Sequence, residues 1–103
     1  MTSKQRAYLK SLAMNLDPVF NIGKDSLSDG FFGAVEEALE ANELIKLGVL
    51  KNCMDDPKEL AVCIAENTDA EVVQIIGKKI VLYREAREKE KRHIVLPKAK
   101  KAQ

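Results

Sequence analysis

The chain has no tryptophan, five aromatic residues (Tyr8, Phe20, Phe31, Phe32, Tyr83) and one histidine among 103 residues. Its core must therefore rest on Leu, Ile, Val and Ala. Cysteine is equally scarce. Cys53 and Cys63, with nine residues between them, and His93 cannot supply the four spaced ligands of a structural zinc site. Both thiols are read as buried or half-buried small hydrophobes. No apolar run approaches the roughly 18–20 residues that cross a bilayer. The opening Met1-Thr2-Ser3-Lys4-Gln5-Arg6 lacks the apolar stretch of a secretory signal. A soluble, cytoplasmic protein without membrane contact is expected. No P-loop or nucleophile-elbow pattern occurs, and His93 has no organised partner, so neither catalysis, metal nor cofactor is expected.

What is present is enough apolar material, 46% of residues, for one small domain. Charge is unevenly placed. Residues 1–83 carry 9 Lys/Arg against 13 Asp/Glu, whereas residues 84–103 carry 8 against 3. The sequence thus reads as a mildly acidic folded body, residues 1–84, followed by a basic extension, residues 85–103, that is partly disordered.

Thr2 and Gln5 form a capping-box pattern at the start of a first helix. Tyr8, Leu9, Leu12, Ala13 and Leu16 give it an inward stripe, and Asp17-Pro18 stops it. Val19–Ile22 is a short strand. Ser28 caps a second helix running to about Ala41, with Phe31, Val35, Ala38 and Leu39 inward and Glu36, Glu37, Glu40 and Glu43 outward. Ile45, Leu47 and Val49 alternate with Lys46 and Gly48 as a second strand. Asp56-Pro57-Lys58-Glu59 opens a third helix, which Asn67-Thr68-Asp69 ends. Two β-branched strands, 72–76 and 80–83, flank a Gly77-Lys78-Lys79 hairpin loop. The order α-β-α-β-α-β-β predicts an α+β two-layer fold with a four-stranded mixed sheet, its βα units parallel and its hairpin antiparallel. Beyond Arg84 the charge alternates in sign through Arg92, and Ile94-Val95-Leu96-Pro97 is an apolar patch able to dock back on the domain.

The turn Asn21-Ile22-Gly23-Lys24-Asp25-Ser26-Leu27-Ser28 stands between the first strand and the second helix. Backbone N–H groups at such a turn, with a lysine beside them, suit a phosphate.

Four pieces of the chain resemble the CRM domain, named for chloroplast RNA splicing and ribosome maturation, in its stand-alone bacterial YhbY-like form. They are Thr2–Lys10, Phe20–Lys24, Glu37–Lys46 and Ile76–Arg84, and they occur in the family's order. The resemblance implies a fold akin to the C-terminal domain of a bacterial translation initiation factor. It also implies RNA binding and association with large-ribosomal-subunit precursors, in ribosome biogenesis. The family's GxxG loop, comparable to the backbone clamp of KH domains, falls on Gly23, Lys24, Asp25 and Ser26. Ser26 replaces the second glycine, and Asp25 adds a negative charge, so a re-tuned loop is expected.

Lys4, Arg6 and Lys10 on the first helix, Lys78 and Lys79 in the hairpin, and Arg84 after the last strand join the loop as candidate RNA contacts. Tyr8 and Tyr83 sit in apolar patterns and are read as core. No aromatic row marks a strand face as a stacking platform. The partners expected are ribosomal RNA or a large-subunit precursor particle, and ribosomal proteins, with the chain a monomer. Two alternatives are a protein-interaction module working through the acidic second helix and unspecific nucleic-acid binding by the basic extension.

Overall fold

The computed structural model describes residues 1–23 and 27–97. Helix α1 spans Ser3–Ala13, and its capping box is formed: Gln5 N–H donates to Thr2 Oγ1 at 3.1 Å while Thr2 N–H donates to Gln5 Oε1 at 3.0 Å. Strand β1 is Phe20–Ile22 and α2 is Asp29–Asn42, where Ser28 Oγ accepts from Phe31 N–H. Then come β2 (Leu44–Val49), α3 (Pro57–Thr68, capped by Asp56), β3 (Glu71–Ile76), β4 (Lys79–Tyr83) and a short 3-10 turn, Lys89–Lys91.

The sheet runs in the order β1-β2-β4-β3 and is mixed: β1 is parallel to β2, and β4 is antiparallel to both β2 and β3. The α+β class and the mixed four-stranded sheet expected from the sequence are therefore present. The layers number three instead of two. Ile45, Leu47, Ile80 and Leu82 face α2 and α3 and form the main core, whereas Leu44, Val81 and Tyr83 face the other way and pack with Leu9 and Ala13 of α1. Strand alternation produces this division, since successive side chains point to opposite faces. The central strands carry apolar residues on both.

The hairpin is tighter than the sequence suggests. Lys79 pairs with both Gly48 and Ile76, so it belongs to β4, and the loop is Gly77-Lys78 alone, with Gly77 at φ 55°. A two-residue hairpin loop needs positive φ at its first position, which glycine adopts without strain.

Residues 85–97 pack against the body formed by residues 1–84. Ala86 is fully buried, and Ile94 and Leu96 pack on the α1 side of the sheet as the apolar pattern allowed, although Val95 is exposed. Gln5 Nε2 donates to the Pro97 carbonyl at 2.9 Å, tying the end of this strap to the start of α1. Residues 98–103 lie outside the described residues.

Glu43 accounts for the strap. The sequence places it on the outer side of α2, but the helix ends at Asn42, and Glu43 turns inward at φ 65° with its side chain wholly buried. Its carboxylate accepts N–H groups from Ala86, His93 and Ile94 at 2.8–2.9 Å. Those three hydrogen bonds outweigh the burial that disfavours its charge and hold its pKa below the ordinary value. Glu40 accepts from the N–H groups of Arg87 and Glu88, and its pKa is lowered chiefly by these bonds, then by the charge of Arg84.

Candidate functional site

Strand parity decides which cations meet. Lys79 stands on the same face as Val81 and Tyr83, and Lys46 on the same face as Leu44, so both point to the side that α1 covers. Helix α1 is too short to cover all of it. Beyond its last turn the sheet face is open, and Lys10, Lys46 and Lys79 surround one hollow of about 210 Å³ with Met14, Gln74 and Ile76. Met14 and Ile76 are 80% and 58% exposed, so the three lysines border bare apolar surface.

A bulge in β3 shapes this hollow. Val72 pairs with Leu82 and Gln74 with Val81, leaving Val73 as the extra residue. The bulge puts Val73 and Gln74 on the α1 side together. It also frees backbone carbonyls, and Arg6 Nη1 takes two of them, donating to Val72 O at 2.6 Å and Val73 O at 3.1 Å.

The end of the sheet next to the hollow gathers the loops. Val49 N–H donates to the Lys78 carbonyl and Leu50 N–H to the Ile22 carbonyl, which brings the hairpin, the end of β1 and the loop after β2 together. Gly23 lies beside Leu50 and Asn52 at this end. A methyl group there would meet only ordinary contacts at 3.6 Å, and Gly23 does not adopt positive φ. Lys24, Asp25 and Ser26, the rest of the predicted loop, lie outside the described residues. The α2 N-terminus that follows already carries Asp29 in its first turn, a carboxylate that complements the helix dipole.

The structure thus brings Lys10 and Lys79 together, with Lys78 and Gly23 at the adjoining sheet end. Lys4 is exposed in the first turn of α1, the end that reaches Pro97, and stands apart from them. Arg6 is half-buried and bonded to the bulge. Arg84 is corrected outright as a surface contact: it is 8% exposed and donates to the carbonyl of Thr68 at 3.0 Å and the Glu40 carboxylate at 3.3 Å. Its guanidinium is a strut between α2 and the end of α3.

Lys46 was missed as a candidate. The available signal was its position as the one charged residue in an apolar strand, on the face opposite Ile45 and Leu47. Tyr83 is core, as expected. Tyr8 is not: it is 37% exposed at the edge of α1. The acidic face of α2 also shrinks, because Glu43 is buried and Glu36 and Glu40 pair with Arg84, at 4.0 and 3.3 Å. Among the described residues no cluster of His, Cys, Asp or Glu could hold a metal ion, and no helix is long and apolar enough to cross a membrane.

A small α/β/α domain with an open cationic sheet face and Gly23 at the adjoining sheet end is the class that fold and surface define. The chain belongs to the CRS1 / YhbY (CRM) domain family, whose pattern it matches over residues 1–84. It is 42% identical over 97 residues to the Bacillus subtilis protein named "Probable RNA-binding protein YqeI", covering 94% of this chain and 99% of that one. A Haemophilus influenzae protein named "RNA-binding protein" is 36% identical over 88 residues, covering 85% and 89% of the two chains. The solution structure of SAV1595 from Staphylococcus aureus superposes with a TM-score of 0.75 at 46% identity, covering 94% of this chain and 99% of that one.

Proposed function

We propose that this protein binds RNA through the open sheet face, without catalysis, as a monomer in the cytoplasm. The observation that carries the reading is the convergence of Lys10, Lys46 and Lys79, from three separate elements, on one hollow bordered by exposed Met14 and Ile76. Three ammonium groups on a concave face attract phosphates, and each phosphate neutralised releases counterions. Bare apolar side chains between them suit the faces of unstacked bases. The names of the Bacillus and Haemophilus relatives support the same reading.

The RNA is that of a large-ribosomal-subunit precursor, and the protein acts there as an assembly or maturation factor. The loop Gly23–Ser26 holds backbone phosphate, Lys78 and Lys4 extend the field, and residues 98–103 add unspecific attraction that salt weakens. Fractionation of cell extract on a sucrose gradient tests the placement. The tagged protein should co-migrate with large-subunit precursors and be depleted from mature subunits and polysomes. Co-migration only with free RNA of other kinds would contradict it.

A further inference from the structure

A second cavity, of about 420 Å³, lies on the other flank of α1, between that helix, the start of β2 and the strap. Lys46 lines both this cavity and the cationic hollow, so the two are neighbours on one face of the sheet. The floor is apolar, with Leu12 and Leu44. The walls carry two rings, Tyr8 from α1 and His93 from the strap, each partly exposed at 37% and 55%. His93 is not loose: its N–H donates to Glu43, and Nδ1 lies 3.1 Å from the Lys91 carbonyl.

The polar rim has a definite sense. Asp17 offers a carboxylate. Asn42 lines the cavity, and because its amide nitrogen donates to the Ala38 carbonyl, its oxygen is the acceptor this side chain still has to offer. Lys46 supplies the donor. Two acceptors and one cation around an apolar slot exclude a phosphate, which the carboxylate would repel. They match a flat group bearing donors beside an acceptor.

We propose that this cavity takes a single unstacked guanine of the bound RNA. Guanine presents N1–H and the 2-amino group side by side, as a carboxylate's two oxygens require, with O6 next to them for a lysine. Uracil has one donor between two carbonyls and fits this rim poorly. Its size falls within the range of small-molecule sites, roughly 300–1,000 Å³. Its shared wall at Lys46 lets a strand laid across the cationic face turn one base into it. Tyr8 and His93 then flank the base, and Asp17 reads it.

The proposal rests on the RNA reading, and the test separates the two. Affinity is measured for a short oligouridine and for the same oligomer with one central guanosine, using the full chain, Asp17→Ala and Val19→Trp. Val19 is 44% exposed on the cavity rim, so tryptophan there fills the space without entering the core. In the parent, the guanosine should raise affinity roughly tenfold. Both variants should lose that increment, and Val19→Trp should bind oligouridine as the parent does. Titration of guanosine 5′-monophosphate into ¹⁵N-labelled protein should move the amide signals of Tyr8, Leu12, Val19 and Ile94, and uridine 5′-monophosphate should not. Equal affinity of the parent for both oligomers, or an increment that survives Val19→Trp, overturns the guanine site while leaving the cationic face intact. Failure of the parent to bind either oligomer overturns the RNA reading together with it. Shifts at the cavity from a peptide and none from the nucleotide would also overturn it.

Discussion

Glu43 and Ile94, 51 residues apart in sequence, are joined by a 2.9 Å hydrogen bond from the Ile94 N–H to a carboxylate that solvent does not reach. With the bonds from Ala86 and His93, this contact makes the strap part of the fold. A buried charge is tolerated only when hydrogen bonds replace its hydration. Glu43→Ala would remove the shared acceptor and leave three N–H groups without it. We expect a loss of about 2–4 kcal/mol in urea unfolding, with Glu43→Gln losing less because its oxygen still accepts. A loss under about 0.5 kcal/mol, the range of ordinary surface substitutions, would contradict this role.

Acid should act through the same residues. Glu40 and Glu43 both have folded-state pKa values below their ordinary ones. Their contribution is therefore present above the unfolded carboxylate pKa and is lost as pH falls through the folded values. Stability should be level from neutral pH down to the ordinary carboxylate range and decline below it. The amides of Ala86 and Ile94 should lose hydrogen-exchange protection there before those of β2 and β4. Simultaneous loss in strap and sheet would show that the strap is not a separate acid-labile unit.

Arg84 and Lys79 sit near opposite ends of the last strand and should respond in opposite ways. Arg84→Ala removes a buried guanidinium that bonds Thr68 and Glu40 and should cost about 3 kcal/mol of stability. Lys79→Ala, on the exposed face, should change stability by less than about 0.5 kcal/mol but weaken RNA binding. Thermal melts paired with binding assays on both variants check the contrast.

Arg6 closes the β3 bulge. Arg6→Met keeps much of its apolar stem and removes the two bonds to Val72 and Val73 carbonyls. A cost of about 1–2 kcal/mol is expected, with faster exchange confined to β3 and the facing half of β4. A fall in RNA affinity with unchanged stability would instead make Arg6 an RNA contact.

The order of elements was legible because local signals agree at each step. Thr2–Gln5, Ser28 and Asp56 cap helices where the side chains say they should, and the alternation in 44–50 and 80–83 sets the strands. What pattern could not reach was set by long-range contacts. Glu43 looks like one more charge in an acidic helix until the helix ends one residue earlier and the chain turns at positive φ. Arg84 looks like a strand-end cation until Thr68 and Glu40 close around it. The strap reads as a solvated charged run because its anchors are backbone N–H groups, which carry no residue signature. The site was half legible. Lys10 and Lys79 stood out by charge, but their meeting with Lys46 depends on register: moving Lys79 from the hairpin loop into β4 fixes the face on which it stands.

Charge reversal on the open sheet face tests most directly whether that face holds RNA. Binding to large-subunit ribosomal RNA would be measured across a salt series for the parent, for Lys46→Glu/Lys79→Glu, and for a chain ending at Pro97. The double variant should bind at least roughly tenfold more weakly, with a salt dependence shallower by about 1.5–2 counterions. The shortened chain should keep most of the parent's affinity. If instead the double variant binds like the parent and the shortened chain does not bind, residues 98–103 carry the RNA and the sheet face does not.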